Sequence, residues 1–281
     1  MNAQLAPLSE TRGYVGGGNI AGILGLSPFK SPLDEYLTIT GDEQEITSEK
    51  RRFFDRRKAW EPTACHFFEA ATGLEIDQIN ERYSDKQFDW AKAEIDAECM
   101  EGGERVNIEF KTVHPSAAQH WGNPDEGEEP PIYVTAQAMW GLGVTGRDRA
   151  YVHGLDLDND RIYEIHRDDE LITEIRTQAE RFWKYHVLPR HPPPPVNVDD
   201  LLRLYPRGSG RAVEADTETQ MAMSELHVLR QRIKFLEAQK ALQEYQIKGF
   251  MRDATTLTAG GIAIATWKPR SDGVRVFNLK K

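Results

Sequence analysis

The sequence predicts a mixed α/β protein, a small sheet flanked by helices, followed by a separate C-terminal helical arm and β-hairpin. Three observations lead there. Helix start and stop signals alternate with short extended runs over residues 1–190. Met100-Glu101-Gly102-Gly103 lies between two of those runs, as a hairpin turn would. LPRHPPPP at 188–195 is a stiff spacer, and the periodicity changes beyond it.

Residues 16–41 read GGGNIAGILGLSPFKSPLDEYLTITG, a glycine-rich turn, a short apolar helix and a second helix opened by Ser31-Pro32. A helix is expected over 48–72 with Gly73 as its stop, either kinked or restarted at Pro62. Three extended runs follow at 87–90, 92–99 and 106–113, the last two forming an antiparallel pair. Residues 123–131 are acidic and proline-containing and read as a loop, and a helix is expected over 132–142. Strands at 149–155 and 161–166 flank a turn at 156–160, and a helix covers 169–186. The domain reading is a core at 1–190, a Pro-rich linker at 191–216 and a module at 217–281. In that module Ala222, Leu226, Leu229, Ile233 and Leu236 follow a 4-3-4-3 spacing, the seam of a coiled-coil-like helix, which the polar Lys240 interrupts. The tail alternates as IAIATW, turns near Ser271-Asp272-Gly273 and returns as VRVFNL. The short seam is expected to fold back on this hairpin.

Composition bounds the function. The chain has 281 residues, 39% hydrophobic and 28% charged, and no apolar run long enough to cross a bilayer. No basic segment followed by an apolar core opens it, so a cytoplasmic protein is expected. Its two cysteines, Cys65 and Cys99, fit no CxxC pattern, which disfavours a disulfide framework, a structural zinc site or an iron–sulfur cluster. A net charge of −10 argues against a protein that coats nucleic acid through a global basic field. It leaves room for a local site that holds cations on carboxylates.

The chemically informative segment is Ile95-Asp96-Ala97 followed by Asn107-Ile108-Glu109-Phe110-Lys111-Thr112. Alternation along a strand sends Glu109 and Lys111 to one face and Ile108 and Phe110 to the core. Asp96, on the preceding strand, can face the same way. Two carboxylates so placed repel unless a cation lies between them, and Mg²⁺ prefers carboxylate oxygens with waters and phosphate oxygens. The same pattern also occurs on solvated sheet faces, where charges pair across strands. Trp121 admits two readings as well, a stacking platform for a base or a ring packed on its own domain.

Several segments, in order, resemble the YqaJ-like viral recombinase family, which includes phage lambda-type exonucleases within the PD-(D/E)XK nuclease superfamily. VGGGNIAGILGLSPFKSPLDEYLTITG is similar to its opening glycine turn and "ILG-SP--SP-E-Y---TG" run, and WEPTACHFFEAATG to its "-EP-------TG" helix. AEIDA with NIEFKT resembles its "-DG…-EIKT" core, and YVTAQAMWGLGVTGRDRAYV its "Y--Q-Q--L-VTG---A-V" helix and strand. The resemblance spans about 12–195 and implies a restriction-endonuclease-like core. It also implies Asp96 and Glu109 as metal ligands with the Phe110 carbonyl as a third, and Lys111 as catalytic lysine. By the same token Glu61 would reach the metal centre, through water, and Gln137 would orient water or substrate. The implied cofactor is Mg²⁺, with Mn²⁺ as substitute. The implied activity is digestion of duplex DNA ends in a bacterial host or prophage, by a ring-shaped trimer working beside a single-strand annealing protein.

Where the family shows Gly-Gly-Ser-Asp, this chain has Gly16-Gly17-Gly18-Asn19, so a hydroxyl offered to a terminal phosphate is missing. Backbone N–H groups at Gly18, assisted by Asn19 or Arg12, are the expected substitutes. Two other readings compete: a RecB-like or CRISPR-associated nuclease with an iron–sulfur cluster, which two cysteines disfavour, and a catalytically silent DNA-binding scaffold. The set Glu61, Asp96, Glu109 and Lys111 speaks against the latter, since a scaffold has no physical need to keep carboxylates beside a lysine.

Overall fold

The computed structural model describes residues 13–41, 48–156 and 160–280. Helix α1 (Gly17–Ile23) is followed by α2 (Pro32–Thr40), where Ser31 caps as its sequence predicts. The Ser31 hydroxyl accepts the Asp34 N–H at 3.1 Å, and Asp34 returns the bond to the Ser31 N–H at 2.8 Å. The expected helix over 48–72 is two helices, α3 (Ser48–Lys58) and α4 (Glu61–Thr72), broken at Ala59-Trp60. Pro62 thus occupies the first turn of α4, where its missing N–H has no partner to lose.

Strand β1 (Ile76–Ser84) was not among the expected strands, and residues 87–90, which were, form a turn. Asp85 builds that turn, its carboxylate accepting the N–H groups of Gln87 at 2.8 Å and Phe88 at 3.1 Å. β2 (Lys92–Glu101) and β3 (Glu104–Thr112) make the central hairpin. Gly102 and Gly103 have φ of 61° and 88°, the left-handed pair that a two-residue hairpin turn needs. After β3 the chain crosses through α5 (Ile132–Thr145) to β4 (Arg149–Leu155), which lies parallel to β3. β5 (Asp160–His166) pairs antiparallel with β4, and α6 (Asp169–Phe182) runs on into a π-helical turn, Trp183–Val187. Residues 157–159 of the expected turn lie outside the described residues. The sheet order is β1-β2-β3-β4-β5.

Helices cover both faces. A large core on one face joins Val15, Ile20, Leu33, Ile95, Trp140, Leu142, Val152 and Ile175, with side chains from α1, α2, α5 and α6. On the other face α4 inserts Phe68 against Ala97, Cys99, Val106 and Ile108. No helix among the described residues is long and apolar enough to cross a membrane.

The proline stretch does not end the first unit, which runs to Arg207. Helix α7 (Val198–Leu204) follows it and is anchored back on α2. Asp200, 1% exposed, accepts the Ser31 hydroxyl at 2.7 Å and the Val196 N–H at 3.0 Å, while Arg203 pairs with Asp34. A segment read as linker is therefore part of the core, because a buried carboxylate without these donors would be costly. The second unit begins at Gly208 and holds α8 (Thr217–Met251) and an antiparallel sheet of β6 (Thr256–Ala259), β7 (Ile262–Pro269) and β8 (Arg275–Leu279). β7 and β8 are the expected hairpin. The sheet packs on the last turns of α8 around Met251 and Ala265, with the Lys248 ammonium 5.3 Å from the Phe277 ring centre. The seam from Ala222 to Leu236 is not folded back on it.

Asp200→Ala should lower the stability of the first unit by about 1–3 kcal/mol, because it strands the Ser31 hydroxyl and the Val196 amide. A chain ending at Pro195 should melt below one ending at Arg207, and equal melting temperatures in a thermal scan would show that α7 is not part of the core.

Candidate active site

The site starts from a gap in the sheet. β2 pairs with β3 from Glu101↔Glu104 to Ala97↔Ile108 and no further, so the strands part where Phe110 would need a partner. The Asp96 carboxylate supplies it, accepting the Phe110 N–H at 2.9 Å. A side chain thereby takes the place of a backbone ladder bond. On β1, across from Asp96, Asn80 adopts φ 56°, a left-handed value that asparagine tolerates better than most residues.

On β3 the alternation holds: Ile108 and Phe110 join the face covered by α4, and Asn107, Glu109 and Lys111 lie on the other. Glu109 is 8% exposed. Its Oε1 accepts hydrogen bonds from both the Lys111 ammonium and the Gln137 side-chain amide of α5. Gly17 of α1 lines the same small cleft, and a methyl group there would sit 3.3 Å from Gln137 Cγ, so glycine lets α1 press on α5 beside the site. Farther along this face Glu98 is fully buried and held by Arg147 at 3.0 Å, Arg105 at 3.3 Å and the Tyr83 hydroxyl at 2.7 Å.

The charges at the centre are strongly coupled. Burial, and next the Glu109 charge, push the Asp96 carboxyl up to about 8, against the pull of Lys111 and the Phe110 amide. Burial works against the Lys111 ammonium, but Glu109 and Asp96 together outweigh it and hold that group above its usual range. Such a pair is suited to a hard divalent cation, with two carboxylates from the protein and the other positions left to carbonyl, water and phosphate oxygens. Among the described residues no three His, Cys, Asp or Glu side chains converge as a complete metal cage.

Asp96, Glu109, Lys111 and Gln137 are thus brought together. Glu61, at the first turn of α4, is not in hydrogen-bond contact with them; it faces Asn80 Nδ2 at 3.5 Å, and its charge still contributes to the rise at Asp96. Gly18 is exposed at the start of α1. Asn19, expected to assist at a terminal phosphate, is instead engaged inside the fold: it is 4% exposed, its Oδ1 accepts the Gly16 N–H at 2.9 Å and its Nδ2 donates to Glu35 at 2.7 Å. Trp121 is corrected too. It is 6% exposed, packs 6.0 Å from the Tyr163 ring and fills the space over Gly154, where a methyl group would come within 2.6 Å of it. No ring face is left to stack on a base. Arg12 lies outside the described residues. Asn80 was missed, and its one signal in sequence is a residue type that accepts left-handed backbone inside a run of extended ones.

Because Asp96 binds its proton more tightly folded than unfolded, the folded protein holds more protons between its ordinary value of 3.8 and about 8. Stability then falls as pH rises through that window. Denaturation in EDTA should show this decline for the native chain and a much flatter profile for Asp96→Asn; identical profiles would disprove the coupling.

Residues 9–148 match the model of the YqaJ-like viral recombinase domain. The YqaJ protein of Bacillus subtilis (strain 168) is 28% identical over 272 residues, which cover 93% of this chain and 82% of that protein. Among solved structures, LHK-Exo, an alkaline exonuclease from Laribacter hongkongensis, in complex with dAMP superposes with a TM-score of 0.50 at 19% identity over 70% of this chain and 95% of its own. A phage related exonuclease from Haemophilus somnus 129PT gives 0.45 at 15% identity, over 61% and 92%. The five-stranded sheet and its helices thus share the fold of that alkaline exonuclease, and residues 9–148 of this chain carry the match to the YqaJ-like viral recombinase domain.

Proposed function

We propose that the chain is a Mg²⁺-dependent DNA exonuclease that digests one strand of linear duplex DNA from its 5′ end and leaves 3′ single strands for an annealing protein. The carrying observation is the half-buried Asp96, tied to the Phe110 N–H at 2.9 Å, beside the buried Glu109, with Lys111 and Gln137 both bonded to Glu109. The family and the alkaline-exonuclease fold support the same reading.

Asp96 and Glu109, with the Phe110 carbonyl, would hold the cation, and Mn²⁺ would substitute for it. A metal bound there supplies an acidified water and a polarised phosphodiester. The protein's own groups then divide the remaining work. Glu109, fixed by two donors on Oε1, is held in one orientation, so little reorganisation accompanies the reaction. The Lys111 ammonium, charged throughout, is positioned to offset negative charge developing on the phosphate. Gln137 orients the carboxylate now and a water or phosphate oxygen once DNA is present. Glu61 stands behind this group and acts on it through its field or through water.

At the duplex end the exposed Gly18 amide is the remaining candidate for a terminal phosphate, since Asn19 is committed inside the fold. Dependence on a 5′-phosphate should accordingly be weak. A ring of three first units around the duplex, the assembly implied by resemblance, would make digestion processive. A bacterial cytoplasm, in a host or prophage, is the setting such a reaction requires.

Asp96→Ala, Glu109→Ala and Lys111→Ala should each lower cleavage of end-labelled linear duplex by roughly 10²-fold or more, and EDTA should abolish it. Gln137→Ala should give a smaller loss. Full activity of folded Glu109→Ala, or in excess EDTA, would end the nuclease reading, and first release of label from 3′ ends would reverse the polarity.

A further inference from the structure

Within the second unit, no described residue covers the seam of α8. Leu226, Leu229, Ile233 and Leu236 are 42%, 47%, 54% and 51% exposed, and the sheet of the second unit meets α8 only near Met251. Repeating alternately every three and four residues, these side chains form one apolar stripe about 15 Å long on a helix of 35 residues. Asp216 caps its start by accepting the Thr219 N–H at 2.8 Å, so the helix is firmly begun rather than frayed. Such a stripe in water is an association surface unless something covers it.

The flanks of the stripe identify the cover. With Leu226 and Ile233 at heptad positions a, and Leu229 and Leu236 at d, the flanking g and e positions are Glu225, Arg230, Arg232 and Glu237. In a parallel pair each g residue faces the e residue of the following heptad in the other strand. That places Glu225 opposite Arg230 and Arg232 opposite Glu237, opposite charges in every case. An antiparallel pair centred on the seam instead sets Arg230 against Arg230 and Arg232 against Arg232. The polar Lys240 at the next a position costs stability but opposes slipped registers, where it would meet leucine or isoleucine.

We infer that α8 associates in parallel and in register with α8 of a second copy of this chain. Ile233 at a with Leu236 at d is the combination that favours two strands. The contact does not depend on the nuclease reading, and it joins copies through the second unit, whatever the first unit does.

The test is disulfide trapping in the full-length chain. Leu229→Cys should cross-link to a dimer on mild oxidation, roughly tenfold faster than Gln231→Cys on the outer face, with the native chain as control for Cys65 and Cys99. Glu225→Lys with Glu237→Lys should reduce trapping at position 229 by about tenfold, and adding Arg230→Glu and Arg232→Glu should restore it. These four side chains lie outside both cores, and far-UV circular dichroism would verify that each variant keeps its helix. Trapping of Leu229→Cys no faster than Gln231→Cys would overturn the proposal. So would preferential trapping between Leu226→Cys and Leu236→Cys in a mixture, the signature of antiparallel strands. Failure of the combined charge reversal to restore trapping would remove the stated basis for parallel pairing.

Discussion

The hydrogen bond from the Phe110 amide to the Asp96 carboxylate is the constraint on which the site depends. A buried amide must be paired, and at Phe110 the ladder with β2 has already ended at Ala97↔Ile108. One side chain solves the backbone's problem and in doing so is drawn inward beside Glu109. The opening in the sheet is therefore also where the proposed reaction would place its cation and phosphate. Asn80, left-handed on the neighbouring strand, shows that the distortion extends across the pairing on the other side of Asp96. Repairing the ladder would remove the site.

The electrostatic consequences follow from the same placement. A carboxylate drawn in to satisfy an amide loses water, and with a second carboxylate nearby its proton is held up to about 8. Two structural partners limit the disorder this would cause. Lys111 and Gln137 both bind Glu109, one from the same strand and one from the crossover helix that makes β4 parallel to β3. The helix is in turn pressed by α1 at Gly17, so the glycine-rich start of the domain reaches this face of the sheet through packing. The net acidic chain needs no broad basic surface for this arrangement. Several arginines are instead held by internal acids, Arg147 and Arg105 on Glu98, Arg176 on Asp85, and Arg149 on Glu101 and Glu164.

Much of this was legible in local chemistry. Gly102-Gly103 announces the hairpin, Ser31-Pro32 the start of α2, and the alternation around Glu109 the division between core and cleft. What local chemistry could not show depended on distant partners. β1 reads IDQINERYS, with few apolar residues because it is an edge strand, and the turn at Asp85 that joins it to its partner β2 is polar. Asn19 looked like a free polar group at a helix start, yet Glu35, sixteen residues on, claims its amide. Trp121 sits in a polar loop, and only the folded sheet brings Gly154 and Tyr163 beneath it. The prolines at 192–195 have the composition of a linker, but Asp200 beyond them is tied to Ser31, a bond 169 residues long in sequence.

The C-terminal helix illustrates the converse limit. Its heptad is plain in the sequence, but periodicity alone does not say whether the covering surface lies in the same chain, and the short second unit made a fold-back onto the hairpin the economical expectation. Geometry decides against it. A helix of 35 residues extends about 50 Å, far longer than a three-stranded sheet of four to eight residues per strand can cover. The sheet satisfies Met251 and its neighbours at one end, and the apolar positions nearer the other end need a surface of their own length. Another long helix with the same spacing has that shape, and the charges at Glu225, Arg230, Arg232 and Glu237 are arranged so that a copy of this one also has the matching signs.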